Sequence, residues 1–163
     1  MSCSIQFALL FQHIKGFMLT QTDNLFHASL PDNENRIVSE GILLNHQGLV
    51  HLSGFASHAA GYVNMFGCSR LEGVRITESE PHFVQSFFDR ISVFHIDRDQ
   101  IDVDALEVND YDKHQSRAGI FPWFCSSFTY PYHIPPSAIT DVSYFDKNDI
   151  RIPLEFYSPR GHG

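Results

Sequence analysis

The sequence predicts an α+β fold, on three observations. The N-terminal half alternates short strand-like and helix-like stretches. The C-terminal half reads as strand after strand, with no helix long enough to cross over between parallel neighbours. Hydrophobic residues make up 43% of the 163 and aromatics 13%, including 15 Phe, which is enough apolar material for one core.

In chain order, residues 1–20 form an extension, a short strand or helix packed on the body. They carry no positive n-region and no clear cleavage site, so they read as folded structure rather than a signal peptide. Residues 21–157 form a single domain and 158–163 a flexible tail. NLFHASL (24–30) is a strand ending in a turn. PDNENRIVSEGI (31–42) is a helix with Pro31 and Asp32 near its start. Ile37 and Val38 supply its apolar side, and Gly41 stops it. GLVHLS (48–53) is a strand between glycine breaks. FASHAAGYVNMFG (55–67) is a helix with Ala59, Val63 and Phe66 at i, i+4, i+7 and Gly67 at its end.

The stretch 68–90 is consistent with a strand followed by a short helix around residues 83–88. ISVFHID (91–97) alternates as a strand. Residues 98–119 are acidic and loop-like, with room for one turn of helix. WFCSSFTYPYHI (123–134) is aromatic and strand-prone, and Pro131 puts it at a sheet edge or a bulge. PPSAI (135–139) is a tight turn, ITDVSYFD (139–146) a strand, and IRIPLEFY (150–157) one further edge strand.

Acids outnumber bases 19 to 11, for a formal charge of −8. Such a surface repels polyphosphate, which argues against a nucleic-acid partner while leaving room for a local basic pocket. No apolar run is long enough to span a membrane. The three cysteines, Cys3, Cys68 and Cys125, are odd in number and lack CxxC spacing. That argues against a disulfide framework or zinc finger and for a reducing cytoplasm. The ten histidines include pairs at 46/51 and 51/58, but neither spacing matches HExxH or a Cys/His pair, so no metal is implied. The acidic run 97–112 lacks the Gly and closing Glu of an EF-hand and reads as a solvated loop.

Several residues carry two readings. His51, between Val50 and Leu52, is either a satisfied histidine at the edge of the core or a ligand group, and His27 has the same ambiguity. Ser29 is a ligand contact, a turn residue or a helix N-cap. Ser53 has the same alternatives ahead of the helix from Phe55. The Phe/Tyr cluster at 121–132 is core packing or a ligand cage.

Taken together, LFHASLPDNENRIVSEGILLNHQGLVHLSGFASHAAGYV resembles the first half of the ADP-ribosyltransferase fold. The matching elements are His27-Ala28-Ser29 on a strand, a helix ending at Gly41, His51-Leu52-Ser53 on a second strand, and a helix with Ala59 and Ala60. ISVFHIDRDQIDVDALEVNDYD and FTYPYHIPPSAITDVSYFD are similar to the family's later strands, so the resemblance covers residues 24–146. The sub-group is the one with His, His and an apolar residue at the three motif positions, as in RNA 2′-phosphotransferases. The third position falls at Phe128, with Ser127 and Thr129 adjacent.

The resemblance implies split antiparallel β-sheets with short helices, NAD as cofactor, and transfer of ADP-ribose to an unknown acceptor by a toxin-like or modifying enzyme. Strain and exclusion of water would then drive loss of nicotinamide. His27, His51 and Phe128 are the implied catalytic positions. His27, Ala28, Ser29, His51, Ser53 and Tyr130 are the implied NAD contacts, with Arg70, Arg75 or Arg90 available to a phosphate. The chain departs from the pattern in two places. The extension 1–20 is not expected to form the basic lobe that engages RNA, and no Glu stands at the third position. A non-catalytic module of the same fold, binding ADP-ribose, a nucleotide or a protein, is the alternative. A hot-dog thioesterase is a further one, suggested by NHQGLVHLSGFASHAAGYV before a helix.

Overall fold

The computed structural model describes residues 24–68, 76–77, 80–85, 89–109, 127–146 and 151–153, together with Ile5, Leu9, Leu10, Gln12, His13, Lys15, Gly16 and Leu19. The expectations for residues 110–126 and 154–163, and those for Cys3, Cys125, Arg70 and Arg75, lie outside the described residues.

The fold is mixed α+β. Its main layer is a six-stranded sheet in which every pairing is antiparallel. The strands are β1 (Asn24–Ser29), β2 (Val50–Ser53), β5 (Arg90–Asp97), β6 (Glu107–Val108), β7 (Ser127–Tyr130) and β8 (Ile139–Asp146), in the spatial order β6-β7-β2-β1-β5-β8. A second, three-stranded sheet holds β3 (Ile76–Thr77), β4 (Glu80–Gln85) and β9 (Arg151–Pro153) in the order β3-β4-β9. Two short helices, α1 (Glu34–Glu40) and α2 (Ala56–Cys68), flank the large sheet.

Period-2 alternation sorts the strand residues onto two faces of the large sheet. One face carries Leu25, Val50, Leu52, Phe94, Ile96, Val108, Phe128 and Tyr130, which pack with Ile37 of α1 and with Ile42, Leu106, Ile134 and Ala138 from the connections. The opposite face carries Phe26, Ala28, Ile91 and Val93, which pack under Ala59, Ala60 and Val63 of α2. Strand β5 is therefore buried on both sides, and ISVF reads as a continuous buried run for that reason.

A 3-10 turn at Pro31–Asn33 leads into α1, where proline's fixed φ is tolerated. Gly41 ends α1 at φ 85°, donating its N–H to the Ile37 carbonyl at 2.8 Å. Ile42 and Ile134 then exchange two backbone hydrogen bonds of 2.9 and 3.0 Å, tying the chain after α1 to the segment before the Pro136–Ala138 turn.

Four local expectations are corrected. Val38 does not join Ile37 on the apolar side of α1 but stands 51% exposed, because the seven-residue helix turns only one stripe to the core. Helix α2 runs through Gly67 to Cys68. The helix around 83–88 is overturned at 83–85, which belong to β4 and pair with 151–153 far along the chain. Strand β7 is not an edge: it lies between β6 and β2, and Pro131 follows the last pair, Val50 with Tyr130, where no ladder donor is needed.

The acids of the 98–105 connection build its turns. Asp97 and Asp102 side chains accept the N–H groups of Asp99 and Asp104 at 3.0 and 3.1 Å, capping two 3-10 turns. The described residues of the N-terminal extension are helical. Lys15 donates to the Asp104 carbonyl at 3.1 Å, Arg98 donates to the Leu19 carbonyl, and Leu19 packs against the larger core. Among the described residues no helix is long and apolar enough to cross a membrane.

Candidate functional site where two strands part

Strands β1 and β2 pair at one position only, Phe26 opposite Ser53. Past it the His51 carbonyl is met by a side chain: His27 Nδ1–H donates to it at 2.8 Å. A carbonyl only accepts, so the bond sets the tautomer, and Nε2 of the neutral ring is an acceptor. Burial pushes the His27 pKa below 6.5. The hydrogen bond to the His51 carbonyl opposes that shift, and the neighbouring His51 ring adds to it. His27 is thus neutral at pH 7, with its ring tilted against Phe94 at 6.5 Å. Burial also lowers the pKa of His51.

The two histidines leave the sheet on opposite faces. His27 lies on the face of Leu25 and Phe94, because it stands opposite Phe94 in the register. His51 alternates with Val50 and Leu52, both in that larger core, so its side chain emerges on the α2 face. On that face His51 stands opposite Thr129, and Thr129 stands opposite Glu107. The next pair on the same face is Ser53 with Ser127, both buried. Imidazole, hydroxyl and carboxylate therefore form one polar row across β2, β7 and β6.

The remaining expected contacts fall in several places. Ser29 accepts a hydrogen bond from the Asn33 amide at 3.0 Å and caps no helix end. Ala28 packs toward α2. Ser53 accepts the Phe55 N–H at 3.4 Å, shaping the turn into α2. Phe128 and Tyr130 are enclosed in the larger core, and the Tyr130 hydroxyl accepts the Asp102 N–H at 3.0 Å. Of the third-motif neighbours, Ser127 and Thr129 share the face of His51 and Phe128 does not. Arg90 lies over the Tyr144 ring at 4.3 Å, on the face opposite His51.

Two groupings had no place in the sequence reading. Glu34 accepts hydrogen bonds from Ser92 at 3.1 Å and Tyr144 at 2.5 Å, joining α1 to β5 and β8. Glu107 enters the polar row from a two-residue strand within the acidic stretch. The alternation Glu107-Val108 was its one sequence signal. Among the described residues no three His, Cys, Asp or Glu side chains gather to hold a metal ion.

Compared with known proteins, the chain matches no family model and no curated protein.

Proposed function

We propose that the chain is an ADP-ribosyltransferase-like protein that binds NAD where β1 and β2 part and transfers ADP-ribose to an acceptor. One observation carries this reading. The three motif positions stand on three adjacent strands, β1, β2 and β7, and the two motif histidines are joined by the 2.8 Å bond. In the reaction the bond between the ribose anomeric carbon and the nicotinamide nitrogen breaks. Its electron pair leaves with nicotinamide, and the acceptor's lone pair then attacks the oxocarbenium-like carbon. The protein's part is to hold the sugar and exclude water. His51 offers a flat face, a donor and an acceptor on the α2 face, and His27, from the opposite face, fixes the His51 backbone through its ring N–H. The net charge of −8 disfavours RNA as acceptor.

A second reading keeps the fold and drops the chemistry. Strand β7 turns Ser127 and Thr129, and no carboxylate of its own, toward the face of His51. That favours a module binding ADP-ribose, a nucleotide or a protein. The hot-dog thioesterase reading needs one long helix wrapped by a continuous sheet. The 13-residue α2 and two separate sheets weigh against it.

The test is a titration of NAD into the wild type, His27→Ala and His51→Ala, following binding by ligand-observed NMR and nicotinamide release in the same samples. The expected result is binding by the wild type that both substitutions weaken, with nicotinamide released above background. Binding without release selects the second reading. Binding unchanged in both variants overturns the site.

A further inference from the structure

We propose that Glu107 is a ligand-contacting carboxylate, accepting hydrogen bonds from the vicinal hydroxyls of a ribose that lies along the row Glu107–Thr129–His51. The ligand class rests on the NAD reading above; the row itself rests on strand register.

Directly opposed residues in antiparallel strands share a face, with Cβ atoms about 5 Å apart. Glu107 opposes Thr129 and Thr129 opposes His51, so the three form a line across two strand spacings, about 10 Å. Their neighbours confirm the facing. Val108 and Phe128, one residue further on, oppose each other and are buried on the other side. The line rises out of solvent: Glu107 is exposed, and Thr129 and His51 are half-buried. It ends beside the parting of β1 from β2.

The chemistry of the row selects its ligand. A carboxylate presents two acceptor oxygens side by side, matching two hydroxyls on adjacent carbons that both donate. The threonine hydroxyl and the imidazole of His51 each donate and accept. None of the three carries a fixed positive charge, and Glu107 repels phosphate. The sugar therefore lies over Glu107, with its pyrophosphate directed away from the row and its nitrogen heterocycle toward His51. The row thereby supplies, from β6, the acid that β7 lacks.

The experiment compares wild type, Glu107→Gln and Glu40→Gln, the last removing the same charge from an exposed position on α1. Each is titrated with NAD, AMP and 2′-deoxy-AMP, and far-UV circular dichroism checks the fold. In wild type and Glu40→Gln, NAD binds and AMP is preferred over 2′-deoxy-AMP. In Glu107→Gln, NAD binds about tenfold more weakly and the preference disappears. If NAD binds wild type and Glu107→Gln alike, the role of Glu107 is overturned and the NAD reading stands. If NAD fails to bind but AMP is held with a preference that Glu107→Gln abolishes, the NAD reading falls and the row stands. If no ribosyl probe binds the wild type, both fall.

Discussion

His27 and His51 meet through a ring-to-carbonyl hydrogen bond of 2.8 Å while their side chains point to opposite faces of the same sheet. The bond replaces strand pairing at the place where β1 and β2 separate, and it holds His27 as a neutral ring with one acceptor nitrogen. His27 is thus a structural tie across the parting. His51 presents its own ring to the α2 face with its carbonyl satisfied.

The desolvation of the His27 ring makes stability depend on pH. Its folded-state pKa lies below 6.5, chiefly through desolvation, so the unfolded chain takes up a proton first as pH falls. Stability from this group is intact above about pH 6.5 and is lost as pH drops below it, toward the folded-state value. His51 contributes with the same sign. Thermal melts between about pH 7.5 and 5.5 should show a falling Tm in wild type. His27→Asn retains a donor for the His51 carbonyl and does not titrate, so its Tm should fall less. Equal slopes in the two proteins would count against a buried neutral His27.

Glu34 ties α1 to the sheet through Ser92, which is fully buried, and Tyr144. Ser92→Ala removes the buried donor and should cost about 1–2 kcal/mol, or about 3–6 °C in Tm. The Tyr144 phenol is held above its ordinary pKa of 10, mainly by its hydrogen bond to Glu34. Glu34→Gln should bring its titration back toward 10, read from the tyrosine ring-carbon shift in NMR. No change would mean that the Glu34–Tyr144 bond is not formed in solution.

Much of the fold was legible because alternation is a local signal. Strands β1, β2, β5 and β8 declare themselves by which residues seek the core, and Gly41 marks the end of α1 through its positive φ. Strand β4 was not legible. Its pairing with β9 joins segments more than sixty residues apart, and such pairing overrides a local pattern that also suits a helix. The site was half legible. His27 and His51 stood out by their neighbours, yet their contact runs through a backbone carbonyl and leaves no side-chain pattern. Motif spacing put the third position at Phe128, with Ser127 and Thr129 adjacent. Only the register of β7 on β2 shows that Thr129, and not Phe128, faces the way His51 does.

Gly41 is a test of the tie between α1 and the turn before β8. A Cβ there would stand 2.1 Å from the Ile134 carbonyl oxygen and 2.7 Å from His133 Nε2, at a φ of 85° that L side chains rarely adopt. Neither the backbone oxygen nor the conformation can give way cheaply. Gly41→Ala should therefore cost about 2–3 kcal/mol or more, seen as a drop in the denaturant midpoint at unchanged m-value. An unchanged midpoint would show that this approach of the two segments is looser than drawn.

Phe128 and Thr129 are adjacent in sequence and should behave in opposite ways. Phe128 is fully buried against Leu52 and the larger core, so truncation to alanine should cost about 3–5 kcal/mol, a large share of the stability of a domain this size. Phe128→Leu keeps most of the volume and should cost about 1 kcal/mol. Because its side chain points away from His51, NAD affinity should stay within about twofold of wild type. Thr129→Val removes a hydroxyl from the polar row while preserving shape. Its Tm should move little, within about 0.5 kcal/mol of stability, while NAD binding weakens severalfold. Measuring Tm and NAD affinity on the same preparations separates the two. If Phe128→Leu abolishes binding at near-native Tm while Thr129→Val binds normally, the ligand lies on the other face of the sheet and the row does not contact it.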